Sequence, residues 1–286
     1  LNHKQTATTM KKILVPCDFS DPAVQAFKMA VEIANQSNGE VVLLNVVELP
    51  VMHESVLMPT LSFEEAFIKD MKAHAEKNFT KMKDKWAQEG PKVSSFVEFG
   101  GTTPTIRDFV KDKKIDLIVM GTHGASGVKE FFIGSNTEKI VRTSGVPVIA
   151  IKKQVKLSSI KNIVYPTTGD VNHEEIVTQV KALQNFFKAT LHVLYVNTPS
   201  AFRRDMEIKP QLKAFAKRFM LKDYTLNVWN DYSEEEGLKN FVFENKADMV
   251  AMGTHGRRGL NHLMSGSIAE DAVNHINCPI WTYKIS

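Results

Sequence analysis

Residues 116–135 read DLIVMGTHGASGVKEFFIGS, and residues 248–267 read DMVAMGTHGRRGLNHLMSGS. Each is a short apolar run that ends in Gly-Thr-His-Gly, beginning at Gly121 in the first copy and at Gly253 in the second. After nine intervening residues Gly124 or Gly256 is followed by Gly-Ser, as Gly134-Ser135 or Gly266-Ser267. The copies stay in register without a gap from residues 116–147 to residues 248–279. The chain is therefore an internal duplication. In both copies an apolar run, a glycine-rich turn and a segment of helical spacing follow one another. A strand, a turn and a helix N-terminus in that order form a cradle for phosphate.

Working outward, residues 13–16 read as a buried strand. Asp21 reads as the cap of the next helix, with Pro22 at its first position. Val24, Phe27, Val31 and Ala34 form one apolar helix face, and Gly39 ends the helix. Residues 41–47 are a near-continuous apolar strand, as a parallel sheet covered on both faces requires. Residues 49–62 hold two prolines and read as a loop. A long charged helix is expected over 63–88, strands over 93–99, 117–121 and 147–151, and helices over 104–113 and 135–144. The second half repeats the order: strands over 163–166, 191–196, 224–229, 249–253 and 279–283, helices over 173–188, 203–221, 233–245 and 267–274. The interval from Pro16 to Gly121 is longer than that from Pro166 to Gly253, and the surplus falls in the loop 49–62 and the helix after it.

This alternation predicts two α/β domains, each a five-stranded parallel sheet sandwiched by helices with right-handed crossovers. The expected organisation is a disordered leader or tag remnant over 1–10, a first domain over 11–152, a polar linker over 153–160 and a second domain over 161–286. In such sheets ligands bind outside the carboxyl ends of the strands. Residues 16–18, 45–47 and 120–121 should converge on one crevice.

Composition narrows the function classes. With 43% apolar and 24% charged residues, each half can bury a core of its own. A net charge of +4 is small for 286 residues and argues against nucleic acid or an anionic membrane as the main partner. No apolar stretch is long enough to span a bilayer. Cys17 and Cys278 have no partner at zinc-site spacing and make no disulfide framework; they read as buried, reduced thiols of a cytoplasmic protein.

Glycines suit a phosphate site because side chains on the inner face of the turn would block the main-chain N–H groups. Ser135, at the start of the next helix, can donate to a phosphate oxygen or simply cap the helix. Ordinary turn glycines account for the pattern as well. Neither copy matches a Walker A loop, and Gly-x-Gly-x-x-Gly is absent after the first strand. Asp18 follows that strand. It can accept from a ribose hydroxyl or an adenine amine, hold a metal indirectly, or cap the next helix with Asp21. His123 and His255 lack an evident carboxylate partner and read as loop-backbone contacts rather than catalytic bases.

Together these residues resemble the universal stress protein family. The resemblance rests on Gly-x2-Gly-x9-Gly-Ser in both halves, on the opening over 13–20, and on Val146-Pro147-Val148. It extends over residues 11–285 and is that of a tandem member. It implies Rossmann-like domains that bind ATP with Mg²⁺ or Mn²⁺ and pair through their final strands, here as an intramolecular pseudo-dimer, with a further homodimer as an option. Carried over by position, the first site would use Pro16, Asp18, Val46 against adenine, and Met120, Gly121, Gly124, Gly134 and Ser135. The second would use Val196, Gly253, Gly256, Gly266 and Ser267. Thr168 stands where Asp18 does, and Arg257 and Arg258 replace Ala125 and Ser126. ATP is therefore expected in the first half, with the second weak, altered or empty. The resemblance implies a nucleotide-responsive regulator, read by an unidentified protein partner. A slow metal-dependent ATPase or phosphotransferase and a nucleotide-free scaffold are the alternatives.

Overall fold

The computed structural model describes residues 10–48, 60–122, 135–172, 174–255, 272 and 275–285. The first half runs β1 (Lys12–Pro16), α1 (Asp21–Ser37), β2 (Glu40–Val47), α2 (Thr60–Trp86), β3 (Lys92–Phe99), α3 (Thr102–Asp112), β4 (Leu117–Gly121), α4 (Ser135–Thr143) and β5 (Val148–Ile151). The second runs β6 (Asn162–Pro166), α5 (Glu174–Phe187), β7 (Thr190–Asn197), α6 (Asp205–Arg218), β8 (Tyr224–Asn230), α7 (Glu234–Glu244), β9 (Met249–His255) and β10 (Ile280–Ile285).

Among the described residues, ten strands lie in one sheet, in the order β3-β2-β1-β4-β5-β10-β9-β6-β7-β8. Every pairing is parallel except that of β5 with β10, which joins the halves. The expected intramolecular pseudo-dimer through the final strands is therefore present. At the join Trp281 faces Ile149, flanked by Ile280 on Ala150 and Thr282 on Val148. The register that sets Pro147 on Pro279 also sets Ile149 on Trp281. The pseudo-twofold axis thus passes through one residue position met by its own counterpart.

The duplication is also written in the backbone. Positive φ recurs at Phe19 (65°) and Gly169 (77°), at Asn38 (52°) and Lys188 (50°), and at Lys114 (52°) and Lys246 (48°). Asp116 and Asp248 repeat one clamp. Asp116 Oδ2 accepts from the N–H groups of Lys11 and Lys12 at 3.0 and 2.9 Å. Asp248 Oδ2 accepts from those of Lys161 and Asn162, both at 2.9 Å. Each aspartate ties the entry of its half's fourth strand to that of its first.

The two faces of the sheet differ. On one, a single apolar cluster runs through both halves, from Phe27, Ile33 and Phe79 to Leu183, Phe215 and Trp281. On the other, the cluster under α3 and α4 is separate from the one under α7. The shared cluster includes Leu157 and Ile160, so the segment after β5 is docked rather than a purely polar linker. There the Leu157 N–H donates to Glu32 Oε2 at 2.8 Å.

Several local readings shift. The cap of α1 is Ser20, whose side chain accepts from Ala23 N, and Asp21 is the first helical residue. Asn38, in the left-handed region, ends that helix. Gly39 is needed for another reason: a Cβ there would stand 2.3 Å from the Lys11 carbonyl oxygen. Met10, read with the leader, is buried in the core. Of the loop expected over 49–62, residues 49–59 lie outside the described residues and 60–62 open α2, which is longer than its counterpart α6, where the surplus was expected.

Candidate functional site

The crevice of the first half lies at the carboxyl ends of β1, β2 and β4. β1 pairs with both β2 and β4, so Pro16, Val46 and Gly121 lie at or next to the ends of neighbouring strands. The turn after β1 is braced twice, by Cys17 N donating to the Leu44 carbonyl at 2.8 Å and Asn45 Nδ2 donating to the Cys17 carbonyl at 2.8 Å. Phe19 takes the left-handed conformation, a strain its ring offsets by packing on Phe79, centroids 5.0 Å apart. Asp18 is thereby set on the exposed top of the turn. Its Oδ1 accepts from Ser20 N at 3.1 Å and Ser20 Oγ at 2.5 Å. Burial pushes the Cys17 thiol up to about 12, so it stays protonated at neutral pH.

Gly121 has a structural requirement of its own. A Cβ there would lie 2.5 Å from Pro22 Cβ and 2.6 Å from its carbonyl carbon, at the start of α1. Its carbonyl accepts from Thr137 Oγ1 at 3.0 Å, which ties the end of β4 to the first turn of α4. Met120 is a buried core side chain beside Leu14 and Val42, and Pro16 is half-buried. Val46 is half-buried at the edge of the same cluster. Nearby, Glu48 caps α3: its Oε1 accepts from Thr102 Oγ1 at 2.8 Å and Thr102 N at 3.2 Å, and those bonds hold its carboxyl below the usual range.

The second crevice keeps the frame and changes the surface. Thr167 N donates to the Leu194 carbonyl at 2.8 Å, as Cys17 does to Leu44. Thr168 replaces Asp18, and its carbonyl accepts from Gln211 Nε2 of α6 at 2.8 Å. Val196, counterpart of Val46, is only 3% exposed. A Cβ on Gly237 of α7 would stand 2.4 Å from its Cγ1, so that helix lies directly against it. The matching position in α3 is Thr105, whose side chain forbids the same approach. Trp229 pairs beside Val196 on the neighbouring strand, where Glu98 pairs beside Val46. Trp229 packs edge-on against Phe241, ring centroids 5.6 Å apart.

The glycine motif also begins differently in this half. β9 continues through Thr254 and His255, which pair with Lys284 and Ile285. A Cβ on Gly253 would meet Ile285 Cδ1 at 2.6 Å and Ile176 Cδ1 at 2.8 Å. Thr254 is buried, and its Oγ1 donates to the Val141 carbonyl of the first half at 3.4 Å.

Pro16, Asp18, Val46, Met120 and Gly121 are thus brought to one end of the first half, Met120 as wall rather than surface. Gly124 and Gly134 lie outside the described residues, and Ser135 is placed only as the first residue of α4. Gly256, Gly266 and Ser267 also lie outside them, as do His123 and the two arginines, Arg257 and Arg258. Sequence reasoning missed Glu48 and Thr137, and it placed Asn45 at the crevice without its bracing role. Their signal was a polar residue just past an apolar run, or one turn into a helix. It missed the covering of Val196 too, for which Gly237 inside a helical pattern was the sign.

The profile of the Universal stress protein family matches residues 9–152 and again 159–284. A universal stress protein of Methanocaldococcus jannaschii is 32% identical over 146 residues, covering 51% of this chain and 84% of its own. One from Synechocystis is 23% identical over 292 residues and matches end to end, covering 96% of this chain and 100% of its own. The crystal structure of a universal stress protein from Archaeoglobus fulgidus superposes with a TM-score of 0.74 at 18% identity, covering 97% of this chain and 98% of its own. At that identity the likeness is one of fold.

Proposed function

The chain belongs to the universal stress protein family, and from that premise we propose that it is an ATP-binding regulator of a stress response, with ATP held in the first half alone. The contrast between Val46 and Val196 carries the reading. Val46 keeps an accessible face beside an exposed Asp18, whereas Val196 is covered by α7 beside a neutral Thr168. An adenine ring needs an apolar wall and a polar group fixed at its rim. Of the two equivalent positions, Val46 has both and Val196 has neither an open face nor a carboxylate beside it. The start of α4 at Ser135 supplies N–H groups and a helix dipole for the phosphates. A bound Mg²⁺ or Mn²⁺ would neutralise phosphate charge there.

The protein acts in this reading by binding rather than turnover. One oxygen of Asp18 is committed to Ser20 within its own turn, a bracing role. Occupancy would bias the segment between β4 and α4, and a partner protein would read that surface. We place this activity in the cytoplasm. Among the described residues no helix is long and apolar enough to cross a membrane.

The test is the nucleotide content of the purified chain, released by denaturation and resolved by chromatography, beside Gly134→Arg and Thr168→Asp. About one ATP per chain, lost in Gly134→Arg and unchanged in Thr168→Asp, is expected. About two in the wild type would overturn the restriction to the first half. None, with no binding of added ATP and Mg²⁺ up to about 1 mM, would overturn the nucleotide reading.

A further inference from the structure

We propose that the carboxyl ends of β7 and β8 carry a separate binding site for a small organic ammonium ion. A cavity of about 640 Å³ opens there, lined by Phe202, Trp229, Tyr232, Asp231, Asn240 and Glu244 and by the buried Asn197. Three aromatic side chains face one space. Phe202 is 68% and Tyr232 91% exposed, a large apolar area to leave in water. Trp229 is the rigid member, its ring fixed by Phe241 and its Nε1 donating to Asp231 Oδ2 at 3.3 Å.

Charge selects the occupant. The chain carries 36 Lys and Arg, yet among the described residues none lines this cavity. The cavity on the other side of α7 is lined by Lys153, Lys239 and Lys246. Here two carboxylates, Asp231 and Glu244, meet the aromatic rings, and among the described residues neither is in an ion pair. Asp231 is held by neutral donors: Oδ2 accepts from Asn240 Nδ2 at 2.8 Å, and Oδ1 from Tyr232 N at 2.8 Å. Those bonds, that of Asn240 first, hold its carboxyl below the usual range, with the smallest contribution from the charge of Lys239. A fixed negative charge beside the faces of Trp and Tyr attracts a cation with an apolar body, through both the carboxylate and the ring quadrupoles. The position of Trp229 belongs to Glu98 in the first half, so the site is not a product of the duplication.

The probe is 2-phenylethylammonium, titrated into the full chain by calorimetry, with 2-phenylethanol as its neutral counterpart. A Kd below about 1 mM is expected for the cation, with the alcohol at least about tenfold weaker. Phe202→Ala and Glu244→Gln both alter exposed side chains and should each weaken the cation at least about threefold while leaving ATP content unchanged. Equal affinity for the alcohol, no cation binding by about 10 mM, or full affinity in both variants would each overturn the proposal. So would self-association in sedimentation that Phe202→Ala abolishes, because a second copy of the chain would then be the occupant.

Discussion

The two halves share a frame and differ in what lies at its mouth. The first sets Asp18 on an exposed turn beside a half-open Val46; the second has Thr168 with its carbonyl tied to Gln211 and a Val196 sealed by Gly237 and α7. What the duplication preserved is what folding needs. Asp116 and Asp248 both clamp the entry of a first strand. Gly121 and Gly253 both admit a close neighbour that a side chain would strike. Thr122 and Thr254 are both buried. Identity between the motifs therefore reports architecture as well as ligand, and differences around them report which crevice is open.

The largest effect is expected at the axis that relates the halves. Trp281 is fully buried, and removing its ring leaves a cavity at the antiparallel pairing that joins the halves. Trp281→Ala should cost about 3–5 kcal/mol in guanidinium unfolding, more than Ile149→Ala at the matching position. Separate transitions for the halves by circular dichroism and fluorescence would accompany it. A larger cost for Ile149→Ala would break the idea that Trp281 is the principal plug.

The motif glycines sharpen the comparison further. At Gly121 an added Cβ meets the backbone of Pro22, which cannot yield without moving α1. At Gly253 it meets the far ends of Ile285 and Ile176, which can rotate away. Gly121→Ala should cost about 2–3 kcal/mol and Gly253→Ala about 1 kcal/mol by the same measurement. Equal costs would show that the second half is packed as tightly there as the first.

Much of this was legible in the sequence, for a physical reason. Buried parallel strands such as 41–47 are unbroken apolar runs, and helices such as α1 keep an apolar face, so the succession of strands and helices along the chain and the five-strand count follow from periodicity. The pairing of the halves was legible only through family resemblance, because an edge strand's partner leaves no local pattern. Asp18, Val46 and Gly121 were found because they end strands that the motif identifies. The closure of the second crevice was not found. It depends on one helical glycine, Gly237, letting α7 touch Val196, and on a tryptophan in the neighbouring strand. Both are long-range packing facts. The cap at Ser20 was missed by one residue, since Ser20 and Asp21 are both good caps and only the turn's geometry separates them.

A smaller effect is expected from Gln211, which bridges Thr168 and Arg203: its Nε2 donates to the Thr168 carbonyl, and its Oε1 accepts from Arg203 Nη1 at 2.6 Å. Gln211→Ala should cost about 1 kcal/mol in urea unfolding. It should also speed hydrogen exchange around residues 168–170, with the first half unaffected. Exchange unchanged there would mean that the turn holds itself and Gln211 only covers it.

The smallest effect separates the halves by pH. His192 of β7 stands where the first half has Val42, a buried core side chain. Its ring nitrogens lie 2.8 Å from Thr225 Oγ1 and 3.1 Å from Asn162 Oδ1. Burial lowers its pKa from the usual 6.5, against a weaker upward pull from Asp248. With the folded value below the unfolded one, the neutral ring's contribution is complete above about pH 6.5 and is lost as pH falls through the folded pKa, because the unfolded chain takes up the proton first. His192→Val copies the first half at this position and should flatten stability between about pH 6.5 and 5 relative to wild type, in parallel urea titrations. The half-exposed ring keeps the difference small. If the variant and wild type lose stability in parallel over that range, the histidine is solvated in both states, and the second half's pH response must come from elsewhere.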